Sequence, residues 1–194
     1  MNKLYLPKKE LQAFMALSRV RPANSTFNYM SSQCNRLLLI DVSGKRVKVA
    51  HTNQLWFVQA ISWDRNIDAT DDHWCLDIDK LKQIDLPAFK RDAEVPLLLD
   101  DLRATFVNED YLRGVNFDIL TQKHKGGSAT LSCDYDASLL AGIMAFYKAT
   151  QKLVRVTFPQ EYFQPLQVNA LDGSCNALLM PVRRVSHDTC KEGC

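Results

Sequence analysis

Long apolar runs are missing from this 194-residue chain. Stretches such as Leu37 to Ile40 and Leu97 to Leu99 fall far short of the roughly 20 residues that span a bilayer. The opening MNKLYLPKKE has no apolar signal core, so no membrane association is expected and the expected location is cytoplasmic. Glycine and proline are scarce at seven each, which excludes collagen-like and low-complexity chains. The six cysteines, Cys34, Cys75, Cys133, Cys175, Cys190 and Cys194, include no CxxC pair. An intracellular chain keeps such thiols reduced, and no disulfide framework is expected. There is no GxSxG, Walker loop or HExxH, and the four histidines, His51, His73, His124 and His187, follow no catalytic spacing. His187, Cys190 and Cys194 are one ligand short of a structural zinc site. Asp71, Asp72 and His73 read as an acidic turn before a strand, and Asp77 and Asp79 as turn and helix-start residues. The expectation is a protein that is not an enzyme, without cofactor or metal. Charge of one sign is also lacking: the net charge of +2 is permissive for a nucleic-acid partner but far from diagnostic of one.

What the chain does have is an ordinary globular composition, 46% apolar and 24% charged, with enough length for one to two domains. Its pattern repeats. LYL precedes a helical period from Lys8 to Val20, where Leu11, Phe14, Met15 and Ser18 recur beside Lys8, Lys9 and Gln12. Three strand-like runs follow, Arg36 to Val42, Arg46 to Ala50 and Leu55 to Trp63, the first two joined at Ser43-Gly44. A second unit is fainter: a short strand at His73 to Leu76, a brief helix at Ile78 to Ile84 stopped by Pro87, then strands at Val95 to Leu99, Arg103 to Asn108 and Val115 to Leu120. A third has a strand at Ala129 to Cys133, a helix from Asp136 to Ala149 with Asp136 as N-cap, and strands at Leu153 to Phe158, Pro165 to Asn169 and Ala177 to Val182. The expected fold class is α+β, built from three strand-helix-three-strand repeats.

The ending PLQVNALDGSCNALLMPVRR, with Met180-Pro181-Val182-Arg183 on its last strand, resembles the C-terminal end of bacterial DNA polymerase III beta subunits, the sliding clamps. DASLLAGIMAF is similar to their last helix, and LYLPKKELQAFMALSRV with RLLLIDVSGKRVKVAHTNQLWFVQA to their opening unit. The resemblance implies a DNA-clamp fold, with helices lining the inner face of a ring. It also implies residues 1–121 as one clamp domain of two repeats (1–68 and 69–121), residues 122–184 as a third repeat or half domain, and 185–194 as a tail. Family subunits carry six such units and two subunits close a ring of twelve. A three-unit chain keeping that number would form a homotetrameric ring, the third unit completed by a neighbouring chain.

The function so implied is that of a processivity factor that encircles duplex DNA and tethers polymerase, clamp loader and other proteins bearing clamp-binding motifs. Phosphate contacts, non-specific and salt-dependent, are expected from Lys8, Lys9, Arg19 and Arg21 around the first helix, Lys80 and Lys82 on the second, and Lys148 and Lys152 near the third. A peptide-binding pocket is expected at Leu178, Met180, Pro181 and Val182, bordered by Ser138 and Ser174. The alternative is a clamp-like regulatory module that does not encircle DNA and competes for clamp partners.

Overall fold

The computed structural model describes residues 2–21, 34–53, 55–107, 134–159 and 164–182. The chain opens with strand β1 (Lys3–Pro7) running directly into helix α1 (Lys8–Leu17), with Pro7 at the N-cap. Three strands follow: β2 (Leu37–Ser43), β3 (Arg46–Thr52) and β4 (Trp56–Ser62). The β2–β3 turn works because Gly44 takes φ 58°, a conformation that costs glycine no side-chain clash, and Asp71 accepts its N–H at 2.7 Å. Next come β5 (Ile67–Asp68), β6 (Asp72–Asp77), a single helical turn α2 (Ile78–Leu81), a 3₁₀ turn at Leu86–Ala88, β7 (Glu94–Leu98) and a second single turn α3 (Leu99–Leu102). The last described part holds helix α4 (Ala137–Ala149), then β8 (Val154–Thr157), β9 (Leu166–Ala170) and β10 (Cys175–Leu179).

Among the described residues the strands form two antiparallel sheets, one in the order β5-β1-β7 and a seven-stranded one in the order β6-β2-β3-β4-β10-β9-β8. The seam that matters is β4 to β10, with Trp56 opposite Leu179 and Ala60 opposite Cys175. It joins the first unit to the third. Helices α1 and α4 pack together over the same sheet, with the Phe14 and Phe146 rings tilted at 57° and their centroids 4.9 Å apart. One core runs from Leu4 through Leu38, Val58 and Val95 to Ile143 and Leu179. Trp56, 2% exposed, anchors its centre. Gly142 on α4 permits this approach, since a Cβ there would sit 3.0 Å from both the Trp56 ring and Val20. A smaller cluster of Leu37, Leu39, Ala50, Cys75 and Ala104 covers the other face of β2.

The first unit's sheet continues into the third through last strand on last strand, and residues 134–182 share its core. The proposed boundary at 121/122 lies outside the described residues, as do the expected strands at Val115 to Leu120 and Ala129 to Cys133. The second unit departs furthest from its expected form. Its helix is four residues long, and instead of a strand at Arg103 there is one bridge to Leu76. Local pattern is weak there, and β6, at the edge of its sheet among the described residues, gains only that one bridge on its outer side.

Two further features carry stability. Helix α4 starts at Asp136, whose carboxylate accepts the N–H groups of Ser138 and Leu139. It ends in a Schellman arrangement, the amide of Lys152 donating to the Tyr147 carbonyl and that of Gln151 to the Lys148 carbonyl. Gln151 holds φ 58° there without being glycine. Gln151→Gly is expected to raise unfolding free energy by roughly 0.5–1 kcal/mol, because the left-handed conformation penalises a Cβ; urea denaturation checks it.

His51, fully buried on β3, uses both ring nitrogens in its neutral form. Nδ1 accepts the Trp56 indole N–H at 3.3 Å and Nε2 faces the Asn35 carbonyl at 3.4 Å. Burial pushes its pKa down from the ordinary 6.5 to about 4, the Asn35 contact opposing and the Arg21 charge adding to that shift. Between those two values the unfolded chain binds the proton and the folded chain does not. This contribution is complete above about pH 6.5 and lost as pH falls to about 4, amounting to about 3 kcal/mol. Urea midpoints at neutral and mildly acidic pH should show the fall. His51→Asn, which offers Trp56 an acceptor and does not titrate, should flatten it.

Candidate nucleic-acid interface

Helices α1 and α4 run antiparallel, so the first turn of one lies beside the last turn of the other. Their outward faces carry Gln12 and Ala16 on α1, with Arg19 just past its end, and Ala141, Met144, Ala145 and Lys148 on α4. No carboxylate sits on α4, and the one on α1, Glu10, is taken up by Arg65 at 2.6 and 2.7 Å. Arg19 and Lys148 are the charged residues of this face, set among Gln12, Met144 and alanines.

At the junction of the two helix ends lies a cleft of about 430 Å³. Lys8, Lys9 and Lys152 line it, and Arg65 and Arg91 join them, against two carboxylates, Glu10 and Asp92. A neighbouring hollow of about 420 Å³ adds Lys148 and Gln12 and shares Lys9, Arg91 and Gln151. Four of the eight expected phosphate contacts thus meet here. Their engagement differs. Lys8 Nζ donates to the Phe89 carbonyl at 2.7 Å and fastens α1 to the 3₁₀ turn. Lys9 pairs with Asp92 at 2.7 Å and Lys152 with Asp172 at 2.6 Å. The hydrogen bond from Lys152, with those from Ser174, holds the Asp172 carboxyl down to about 2.

The other four lie elsewhere. Arg19 is exposed near the far end of α1, and Arg21 folds back to donate to the Ser18 and Val20 carbonyls. Lys80 donates to the carbonyls of Asp101 and Arg103, tying α2 to the end of α3, and Lys82 pairs with Asp79 at 2.7 Å. These two lysines line neither cleft, because α2 is a single turn against β6.

Sequence reasoning missed Arg65 and Arg91. Lys90-Arg91-Asp92 is visibly charged, but its place beside α1 is set by the pairing of Pro7 with Glu94, which no local pattern announces. Arg65 follows β4, and only the tertiary fold brings it to Glu10.

The expected peptide pocket is partly gathered. Leu178 is half-buried on β10; Met180 and Val182 beyond it are exposed. The Met180 amide donates to the Leu55 carbonyl and the Val182 amide to that of Asp134, which brings Pro181 and its neighbours to the start of α4, where Ser138 stands exposed. Ser174 does not join them. It precedes β10, bonds Asp172, and lines the basic cleft at the opposite end of that strand. None of Leu178, Met180, Pro181 and Val182 lines either cleft.

The remaining candidates are structural. Asp72 accepts the N–H of His73, and His73 Nδ1 lies 3.3 Å from Asp41. Asp77 caps α2 by accepting the Asp79 N–H, and Arg36 bridges both carboxylates. Among the described residues no group of three or more His, Cys, Asp and Glu is placed to hold a metal, and Cys34, Cys75 and Cys175 are buried and in no disulfide. His187, Cys190 and Cys194 lie outside the described residues. Among those described, no helix is long and apolar enough to cross a membrane.

No family model matches the sequence, and no curated protein does. Solved structures match its fold. The DNA polymerase III beta subunit of Pseudomonas aeruginosa aligns with a TM-score of 0.59 at 11% identity, over 94% of this chain and 67% of that one. Caulobacter crescentus pol III beta aligns at 0.55 and 10%, over 96% and 66%. The beta subunit of Streptococcus pyogenes DNA polymerase aligns at 0.52 and 15%, over 95% and 66%. The fold is that of the sliding clamps, mixed helix and antiparallel sheet, and the chain spans about two thirds of the length of the structures it matches.

Proposed function

We propose that this chain is a DNA sliding clamp, a processivity factor without bond chemistry of its own, which encircles duplex DNA and tethers polymerase and other DNA-processing proteins. The observation that carries the reading is the pairing of α1 with α4 on a clamp fold. Together they present an outward face of alanines, Gln12 and Met144 with the cations Arg19 and Lys148, and the one carboxylate on these two helices, Glu10, is paired with Arg65. Such a face attracts phosphates weakly and without reading bases, the combination that lets a protein stay on DNA and move along it. Met180 to Val182, exposed and apolar at the end of β10, is the segment proposed to receive partner peptides.

The ring is proposed to consist of several copies of the chain. A homotetramer follows if three units per chain count toward twelve. Among the described residues α2 is one turn and two helices are long; counting only those two would give six chains instead. Native mass spectrometry with electron microscopy distinguishes these. Retention on nicked circular duplex, lost on linearisation, is the expected result for a closed ring. A chain that stays monomeric at micromolar concentration would instead favour the regulatory module that shares clamp partners without encircling DNA.

Arg19→Ala, Lys9→Ala and Lys148→Ala combined should lower DNA affinity several-fold and reduce the salt slope by up to three charges' worth. Lys8 is left intact in this variant because it anchors the 3₁₀ turn. Filter binding at several salt concentrations measures it, and an unchanged slope would remove the helix face from the interface.

A further inference from the structure

We propose that the cleft between the start of α1 and the end of α4 is a fixed binding site for a phosphate group, either free or carried on a larger molecule. The inference goes beyond the sliding reading and does not need a ring. Weak contacts spread along a face let DNA slide, whereas cations converging on one cleft hold one anion in place.

Three observations converge. The lining is cationic, with Lys8, Lys9, Arg91 and Lys152 at the rim and Arg65 in the wall, against Glu10 and Asp92. Arg65 is the most telling of these. Its side chain is 7% exposed, and it meets Glu10 through one terminal nitrogen only, leaving its buried Nε without a hydrogen-bond partner. A buried guanidinium N–H without an acceptor is a standing deficit, and it keeps an incompletely neutralised positive charge beside the space an oxyanion would fill. Finally, α1 begins here: the Lys8 amide donates to the Ala93 carbonyl at 3.0 Å, and Pro7 at the N-cap offers no side-chain oxygen to the following amides of Lys9 and Glu10, which leaves the positive end of a ten-residue helix only partly capped beside the cleft.

The opposing helix end would repel an anion if its carbonyls were bare. They are not: the carbonyls of Phe146, Tyr147 and Lys148 accept the amides of Thr150, Lys152 and Gln151, and the Thr150 hydroxyl adds to the first two. The rim lysines are available as well. Lys9 and Lys152 are held by Asp92 and Asp172, both well exposed, and solvent-facing pairs of this kind exchange partners at little cost. A doubly charged phosphate competes for both lysines at once.

The test titrates the whole chain with inorganic phosphate at constant ionic strength, following the amide resonances of Lys9 and Glu10. Saturable shifts with half-saturation near or below about 1 mM are expected. Arg91→Glu, an exposed change that leaves the core intact, should weaken binding at least about tenfold, and Arg91→Lys should preserve it. Short duplex DNA distinguishes the source. If the duplex displaces phosphate and Arg91→Glu weakens both, the group belongs to the DNA backbone; if it does not displace phosphate, the ligand is free phosphate or a phosphomonoester. Shifts that merely follow sodium chloride, or saturation unaltered by Arg91→Glu, overturn the proposal. A chain that forms no ring yet saturates with phosphate keeps this site and loses the clamp reading.

Discussion

Trp56→Ala is expected to cost about 3–5 kcal/mol of folding stability, the range for deleting a large buried aromatic, and so much of the 5–15 kcal/mol typical of a domain. Trp56 is nearly inaccessible, lies against Gly142 of α4, and gives its indole N–H to His51. Its removal opens a cavity at the seam of the first and third units and leaves His51 Nδ1 buried without its donor. Urea denaturation measures the total. Trp56→Phe separates the two effects, since it keeps most of the volume and loses only the N–H. Hydrogen exchange should show amides of the β4–β10 seam losing protection before those of β2 and β3, because that seam depends on Trp56. A cost below about 1 kcal/mol would mean that α4 does not depend on this contact.

Arg65→Met is expected to destabilise by a similar amount, about 3–5 kcal/mol, because it leaves the Glu10 carboxylate half-enclosed without its partner. The Arg65 and Glu10 side chains are 7% and 13% exposed, and their closest contact is 2.6 Å. The double change Arg65→Met with Glu10→Leu should recover most of the loss, since an apolar pair of similar volume has no charge to desolvate. A double-mutant cycle isolates the coupling; equal losses in the single and double variants would show that the pair contributes through packing alone. The pair also bears on the site, because it fixes the first turn of α1, from which Lys9 projects, to the chain following β4.

Much of the fold was legible locally. The period of Leu11, Phe14, Met15 and Ser18 marks α1, which buries Leu11, Phe14 and Ser18, leaves Met15 half-buried and adds Leu17; the helix expected from Asp136 to Ala149 forms and buries Leu139, Ile143 and Phe146 while Met144 stays exposed. Gly44 marks a hairpin and Asp136 a cap, each through backbone chemistry that acts within a few residues. The clamp likeness rested on the same local signals, arranged in order along the chain. The second unit was misread where those signals thin out: Ile78 to Ile84 has helical spacing for barely one turn before Pro87.

The site was legible by half. Lys8, Lys9, Lys148 and Lys152 were visible as cations near helix ends, but that they meet was not. Their meeting depends on α1 and α4 packing antiparallel and on β4 pairing with β10 across more than 110 residues of sequence. Strand pairing of that range is settled by which apolar faces can be buried together, and each strand alone is compatible with several partners. The sequence by itself determined the helices, the hairpin, the caps and the balance of charge, because those depend on neighbours along the chain. Only the tertiary structure decided that the first unit joins the third, that Arg65 and Arg91 complete a basic cleft, and that Ser174 belongs to it and not to the segment at Met180, because those depend on neighbours in space.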